Sequence, residues 1–199
     1  FHLSHPLNPW PVNLLVTRHH VGHVPSADDG RLEAALKALP RAGGGLIFRH
    51  YHLAPARRRA RFRALAALAR RRGHRVILAG SAAEARRWGA DGAYGAPGRL
   101  AAGPALLRLV TVHSLAELAA ARRARADMVL ISPVFATRSH PGARALGVVR
   151  LRLLAARAGM PVIALGGMDA RRVRRTGAAG WAAIDGIGRG AHRRNAKDS

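Results

Sequence analysis

The chain has 199 residues, 49% of them apolar, no cysteine, and a formal net charge of +24. That length holds one domain with a continuous core and leaves no room for a second, and the missing thiols exclude disulfides, thiolate catalysis and Cys-based zinc sites. The charge points to phosphorylated ligands, nucleic acid or an anionic surface without choosing among them.

Short apolar segments alternate with longer Ala/Leu/Arg segments of helical spacing, which predicts βαβ units around a parallel sheet. Val12 to Thr17 is the first strand, and Arg31 to Leu39 reads as a helix before the break at Gly43 to Gly45. Leu46 to Arg49 is the second strand. Pro55 then opens a basic helix to Arg72 whose apolar face carries Phe62, Leu65, Ala66, Leu68 and Ala69, leaving its arginines to a solvated face. Val76 to Leu78 is the third strand, and Ser81 with Glu84 has the capping-box spacing for a helix to Trp88. Asp91 to Tyr94 and Leu107 to Val112 are strands four and five, and Ser114 with Glu117 repeats the capping pattern. Met128 to Ile131 is strand six, followed by the polar loop Ser132 to Gly147 and a helix over Val148 to Ala158. Pro161 to Leu165 is strand seven, Asp169 caps a helix to Arg175, and Trp181 to Ile184 is strand eight. The domain reading is an extension over 1–11, a barrel over 12–187, and a basic tail over 188–199 expected to be disordered.

Eight strands joined by helices fit a closed barrel or an open doubly wound sheet, and periodicity leaves both open. No GxGxxG follows the first strand and no P-loop pattern occurs, which weakens the nucleotide-binding open sheets. With so few aromatic residues, the core must be built from Ala, Val, Leu and Ile. The basic residues are arginine apart from Lys37 and Lys197, so the charge follows a general Arg bias, and nucleic acid is the minor alternative among partners. No apolar run reaches the roughly 18 residues a bilayer span needs, and Phe1 to Pro11 lacks signal-peptide features. The expectation is therefore a cytoplasmic protein with no membrane partner. Its natural start and its pairing with a second copy as a homodimer stay open.

In a barrel, chemistry gathers at the carboxyl ends of the strands. Here those ends carry Arg49, Tyr94, Thr111, His113, the loop after strand six, Gly166 and Gly167 after strand seven, and Asp185 and Gly186 after strand eight. The glycine pair lets backbone N–H groups approach an anion, and the helix opened by Asp169 adds its dipole. The alternative is a tight turn that needs glycine for its dihedral angles alone. The strand-six loop places Thr137, Arg138, Ser139 and His140 in one run, offering hydroxyls, a guanidinium and an imidazole to a polyanion. His113 either orients a ligand or is a satisfied strand-end histidine. His19, His20, His50 and His52 lack a companion carboxylate at ligand spacing, so no metal site is expected from them.

The run Ala126 to Ile187, containing ADMVLISPVFATRSHPGARALG, MPVIALGGMDARRV and GAAGWAAIDGI, resembles the last three βα units of thiamine phosphate synthases and their tautomerase relatives. The likeness continues more weakly through HSLAELAAA at 113–121 and GADG at 89–92. It implies a single-domain (β/α)₈ TIM barrel and a transferase joining hydroxymethylpyrimidine diphosphate to thiazole phosphate with release of pyrophosphate. By that resemblance Thr137 and Ser139 hold pyrophosphate, His140 stands where the family has Lys, Thr111 replaces a Ser, and Arg49 keeps the strand-two Arg. Gly166 and Gly167 match the thiazole-phosphate turn, and Gly186 is a further expected phosphate-binding residue.

The same comparison exposes departures. Ile47 and Tyr51 stand where strand two would carry Gln and Lys, and Ala79–Gly80 replaces an Asn-Asp that would help hold magnesium. Arg99 replaces the second magnesium Asp, Tyr94 a His, Asp185 a Ser, and Pro133 the tautomerase-type His. The resemblance thus implies Mg2+ while its usual Asp ligands are not found. One consequence is that Arg49, Arg99 and Arg138 neutralise the departing pyrophosphate in place of the metal. Another is a catalytically degenerate or tautomerase-like barrel that binds thiazole or thiamine phosphate.

Overall fold

The computed structural model describes residues 13–17, 27–39, 43–136 and 144–184, so the expected extension and tail lie outside the described residues. Eight parallel strands run in order: β1 (Asn13–Val16), β2 (Gly44–Phe48), β3 (Arg75–Ala79), β4 (Gly92–Gly95), β5 (Leu107–Val112), β6 (Met128–Ile131), β7 (Val162–Leu165) and β8 (Gly180–Ala183). β1 pairs with both β2 and β8, so the sheet closes and the open-sheet alternative falls.

The described helices are α1 (Ala27–Ala38), α2 (Pro55–Arg71), α3 (Ala82–Trp88), α4 (Pro97–Leu100), α5 (Leu115–Arg123), α6 (Gly147–Ala156) and α7 (Ala170–Val173). Several differ from the sequence expectation, α6 among them, which runs from Gly147 to Ala156 rather than from Val148 to Ala158. α1 starts at Ala27 rather than Arg31, α7 stops at Val173 rather than Arg175, and the single turn α4 was not expected at all. A four-residue helix has no apolar period to betray it, and its only sequence mark is Pro97 in the first turn, where a missing N–H costs nothing.

Both faces of each strand are buried, which is why the strands read as continuous apolar runs. Leu46 and Phe48 of β2 pack outward against the helices, whereas Ile47 points into the lumen with Leu14, Val16, Ile77, Leu109, Leu130, Ile163 and Ala182. The core is aliphatic as expected, with Phe48 and Phe62 the fully buried aromatic side chains among the described residues. Gly92 makes room in the lumen, since a Cβ there would stand 2.7 Å from Ile77 Cδ1 and 2.9 Å from Leu107 Cβ.

Charge organises the amino-terminal face. Asp91 and Asp127 each precede a strand and accept the N–H of Val76 and Arg108 on the neighbouring strand, both at 2.7 Å. Helix carboxyl ends also lie on this face, and arginines from adjacent helices donate to their last carbonyls. Arg72 reaches Lys37 O, Arg70 reaches Gly89 O, Arg122 reaches Arg157 O, and Arg152 reaches Arg175 O at 2.8 Å. Four arginines are thereby engaged by backbone carbonyls at helix ends.

Candidate active site

At the opposite end of the barrel the lumen-facing positions continue upward by twos. From Ile47 they lead to Arg49, from Leu109 to Thr111, and from Leu130 to Ser132, while Tyr94 already packs on the lumen cluster. Tyr94 is hydrogen-bonded to Thr111 and feels the Arg49 guanidinium and Tyr51. Burial pushes its phenol above the ordinary range against the opposing effects of that bond and of Arg49, so it stays protonated at neutral pH. Arg49, Tyr94 and Thr111 therefore come together at one mouth. The Arg49 Nε is buried and has no hydrogen-bond partner among the described residues, while its guanidinium carbon lies 5.9 Å from the Tyr51 ring centroid. Arg99 is exposed on α4, with its Cδ 3.6 Å from where a Cβ of Gly95 would stand, so it lies over the end of β4.

Two supports for Arg49 escaped the sequence reading. The buried Thr17, at the end of β1, accepts the Arg49 N–H at 2.7 Å and touches His50 Nδ1 at 3.0 Å. Thr17 Oγ1 can also donate its own hydrogen to Nδ1 when His50 is neutral. Burial first, then His52, Arg61 and Arg58, lower the His50 pKa from 6.5 to about 4. The second support is Arg58. Far from lying on a solvated face, it donates to Arg49 O at 3.2 Å, Ala79 O at 2.9 Å and Glu84 Oε1 at 2.9 Å, and it packs on Trp88 with its guanidinium carbon 4.9 Å from the ring centroid. Arg61 also leaves the solvated face, pairing with Glu33 of α1 at 3.0 Å. The sequence mark for both was their place, one turn apart, beside Phe62 and Leu65 on α2.

The capping boxes form only by half. Ser81 and Ser114 accept the N–H of Glu84 and Glu117 at 3.1 and 3.2 Å, but the two carboxylates serve other partners. Glu84 holds Arg58, and Glu117 accepts the His113 N–H at 2.6 Å and meets its Nδ1 at 2.9 Å. His113 is thus a satisfied, exposed strand-end residue. Its Nε2 stands 3.5 Å from Ser132 Oγ, the far limit of a hydrogen bond.

Gly166 and Gly167 have φ of 95° and 61°, which side chains resist. Space forbids a Cβ as well: it would meet Pro133 Cα at 2.8 Å from Gly166 and Ala136 O at 2.7 Å from Gly167. The start of the strand-six loop is laid on this turn by Val134 N–H to Leu165 O and Phe135 N–H to Gly166 O, at 2.9 and 3.1 Å. Its far flank returns to the same place through Leu146 N–H to Pro133 O at 2.8 Å. Thr137, Arg138, Ser139 and His140 lie outside the described residues, as do Asp185 and Gly186, but both flanks of their loop sit beside the glycine pair. Arg172 locks the turn by donating to Gly167 O, with its guanidinium carbon 4.9 Å from the Phe135 ring centroid. The dipole argument fares worse: α7 is one turn long, and Asp169 already accepts the N–H groups of Arg171 and Arg172 at 2.9 and 2.8 Å. An anion here must be held by the glycines and side chains.

A sequence profile described as thiamine monophosphate synthase matches residues 15–187. The chain belongs to the thiamine monophosphate synthase family. A putative thiamine-phosphate synthase 2 of Aquifex aeolicus is 35% identical over 77 residues, which are 37% of this chain and 41% of that protein. A thiamine-phosphate synthase of Chloroflexus aurantiacus is 35% identical over 82 residues, 39% of this chain and 38% of its own length. The chain spans about two fifths of the length of these curated relatives. The thiamine phosphate pyrophosphorylase of Pyrococcus furiosus superposes with a TM-score of 0.67 at 24% identity, over 89% of this chain and 86% of that one, and shows the shared fold. In this member of the thiamine monophosphate synthase family a guanidinium from α2 braces the ends of β2 and β3, and Tyr94 packs at the lumen mouth. No described helix is long and apolar enough to cross a membrane.

Proposed function

We propose that the barrel mouth joins hydroxymethylpyrimidine diphosphate to thiazole phosphate, as a thiamine phosphate synthase working in the cytoplasm. The thiazole nitrogen forms a bond to the pyrimidine methylene carbon, and the carbon–oxygen bond to the diphosphate breaks, releasing pyrophosphate. In this reading the diphosphate departs first and the nitrogen captures the resulting cation. Membership of the family supports the substrates, and one observation carries the placement: the partnerless, buried Nε of Arg49 beside the hydroxyls of Tyr94 and Thr111. Buried Nε atoms without a partner also occur at Arg72 and Arg108 on the amino-terminal face, so it is the place of Arg49 at the lumen mouth, beside two hydroxyls, that points to a ligand. Gly166 and Gly167 take the thiazole phosphate, and Thr137, Arg138, Ser139 and His140 of the strand-six loop are the residues assigned to the pyrophosphate by the family resemblance.

Expression in a thiamine auxotroph lacking its own synthase tests the reading. Growth without added thiamine is expected, and Thr111→Val, which removes one hydroxyl from the mouth, should slow it. No growth with well-expressed, folded protein would defeat the catalytic reading. A second reading, a barrel that holds thiazole phosphate or thiamine phosphate without turnover, is favoured by Ile47, Tyr51 and Ala79–Gly80 at positions where the family carries polar side chains. Calorimetric binding of thiazole phosphate without product formation would support it.

A further inference from the structure

The family resemblance brings magnesium with it, and the donor set described here does not fit that ion. Magnesium takes oxygen ligands, usually one or two carboxylates besides phosphate and water. Every carboxylate whose side chain the structure describes has another occupation. Glu33 pairs with Arg61, Glu84 with Arg58 and Glu117 with His113. Asp91 and Asp127 accept strand N–H groups on the amino-terminal face, and Asp169 caps α7. No cluster of three metal-binding side chains occurs among the described residues. At the end of β3, where the resemblance calls for Asn-Asp, Ala79 and Gly80 offer no side-chain oxygen, Ala79 O accepts from Arg58, and Glu84 Oε2 lies 2.5 Å from where a Gly80 Cβ would stand.

We infer that this mouth binds the diphosphate group without a divalent cation, with Arg49 as its principal charge partner, Arg99 as a second, and Arg58 as the positioning residue behind Arg49. A guanidinium matches phosphate oxygens with a planar fork of N–H groups and keeps its charge at any working pH. Arg49 has the unfilled donor for it. Its backbone is fixed from both sides, by Thr17 at its N–H and Arg58 at its carbonyl, so the cation is held in place before the ligand arrives. The idea rests on the synthase reading for the identity of the polyanion and adds how that polyanion is neutralised.

Calorimetric titration of the whole protein with inorganic pyrophosphate, in excess EDTA and in excess magnesium chloride, decides it. Affinity in EDTA is expected to equal or exceed that in magnesium. Arg49→Gln should weaken binding by about tenfold or more with an unchanged melting temperature, and Arg49→Lys by less. If Arg49→Gln does not fold, Arg99→Gln on the exposed α4 replaces it, with a smaller loss expected. Binding at least about tenfold weaker in EDTA than in magnesium, full affinity in the folded Gln variant, or no pyrophosphate binding in either buffer overturns the inference. Its failure is separable from that of the synthase reading. Product formed only with magnesium sinks this inference and leaves the synthase, while pyrophosphate held in EDTA without any turnover sinks the synthase and leaves this inference.

Discussion

The two ends of the barrel use their charges in opposite ways. On the amino-terminal face ionic groups answer nearby backbone groups: Asp127 takes one strand N–H, and Arg122 donates to carbonyls at the end of the next helix, at 3.3 Å for Ala158 O, although Arg72 and Arg108 each keep a buried Nε without a partner among the described residues. At the mouth, carboxylates are diverted from the backbone to hold cations and an imidazole, and one buried guanidinium nitrogen is left open. An extreme net charge is therefore poor evidence for a polyanionic partner when taken alone. What separates a structural arginine from a binding one is whether a helix end already supplies its oxygens.

The largest expected effect is at Arg58. Its side chain is only 11% exposed, and its removal leaves Glu84 without its partner and the carbonyls of Arg49 and Ala79 without a donor. Arg58→Ala should cost about 4 kcal/mol in chemical denaturation, the scale for breaking a buried pair from one side. Removing Glu84 as well should recover part of that loss, since the stranded charge disappears. A loss under about 1 kcal/mol, the scale of exposed pairs, would erase the distinction between the two ends.

How much of this was legible in the sequence depends on the range over which each feature is determined. The strands were visible because burial on both faces makes them uniformly apolar, and the caps at Ser81 and Ser114 because a capping box lies within four residues. Closure of the sheet was not, since an open sheet gives the same alternation, and only the likeness of the last third of the chain suggested it. Arg49, Thr111 and the glycine pair were singled out from their places at strand ends, and the structure gathers Arg49 with Thr111 at the lumen while seating the glycines against Pro133 and Ala136. Arg58 and the Thr17–His50 contact went unseen because their partners are 21 and 33 residues away. Seven arginines on one helix also look alike until the fold shows which one faces a rim.

The Thr17–His50 contact sharpens the comparison through pH. His50 has a folded-state pKa of about 4 against 6.5 in an open chain, so between those values the unfolded chain binds more protons. Stability should be complete above about pH 6.5 and fall as the pH drops toward 4, by on the order of 3 kcal/mol from this group. His74, buried near the amino-terminal face and also lowered chiefly by burial, acts in the same direction. Urea midpoints measured from pH 7 to pH 4 should show this slope, and His50→Gln should flatten most of it. If His50→Gln keeps the full slope, the mouth contributes no more acid sensitivity than the rest of the barrel.

The smallest expected effect tests the amino-terminal face. Arg122 donates to the carbonyls of Arg157 and Ala158 at the end of α6, where the helix dipole favours a cation, but the contact is largely exposed. Arg122→Ala should therefore lower stability by only about 0.5 kcal/mol, and about 1 M salt should shrink the loss further because an exposed charge is screened there. Arg122→Gln, which can still donate to a carbonyl but carries no charge, should fall between the two. The order wild type, Gln, Ala in low salt, collapsing in high salt, would show that these arginines act through the helix ends they cap. A loss as large as that at Arg58, or one unmoved by salt, would mean that the amino-terminal face is held as tightly as the mouth, and that the arginine excess is structural at both ends.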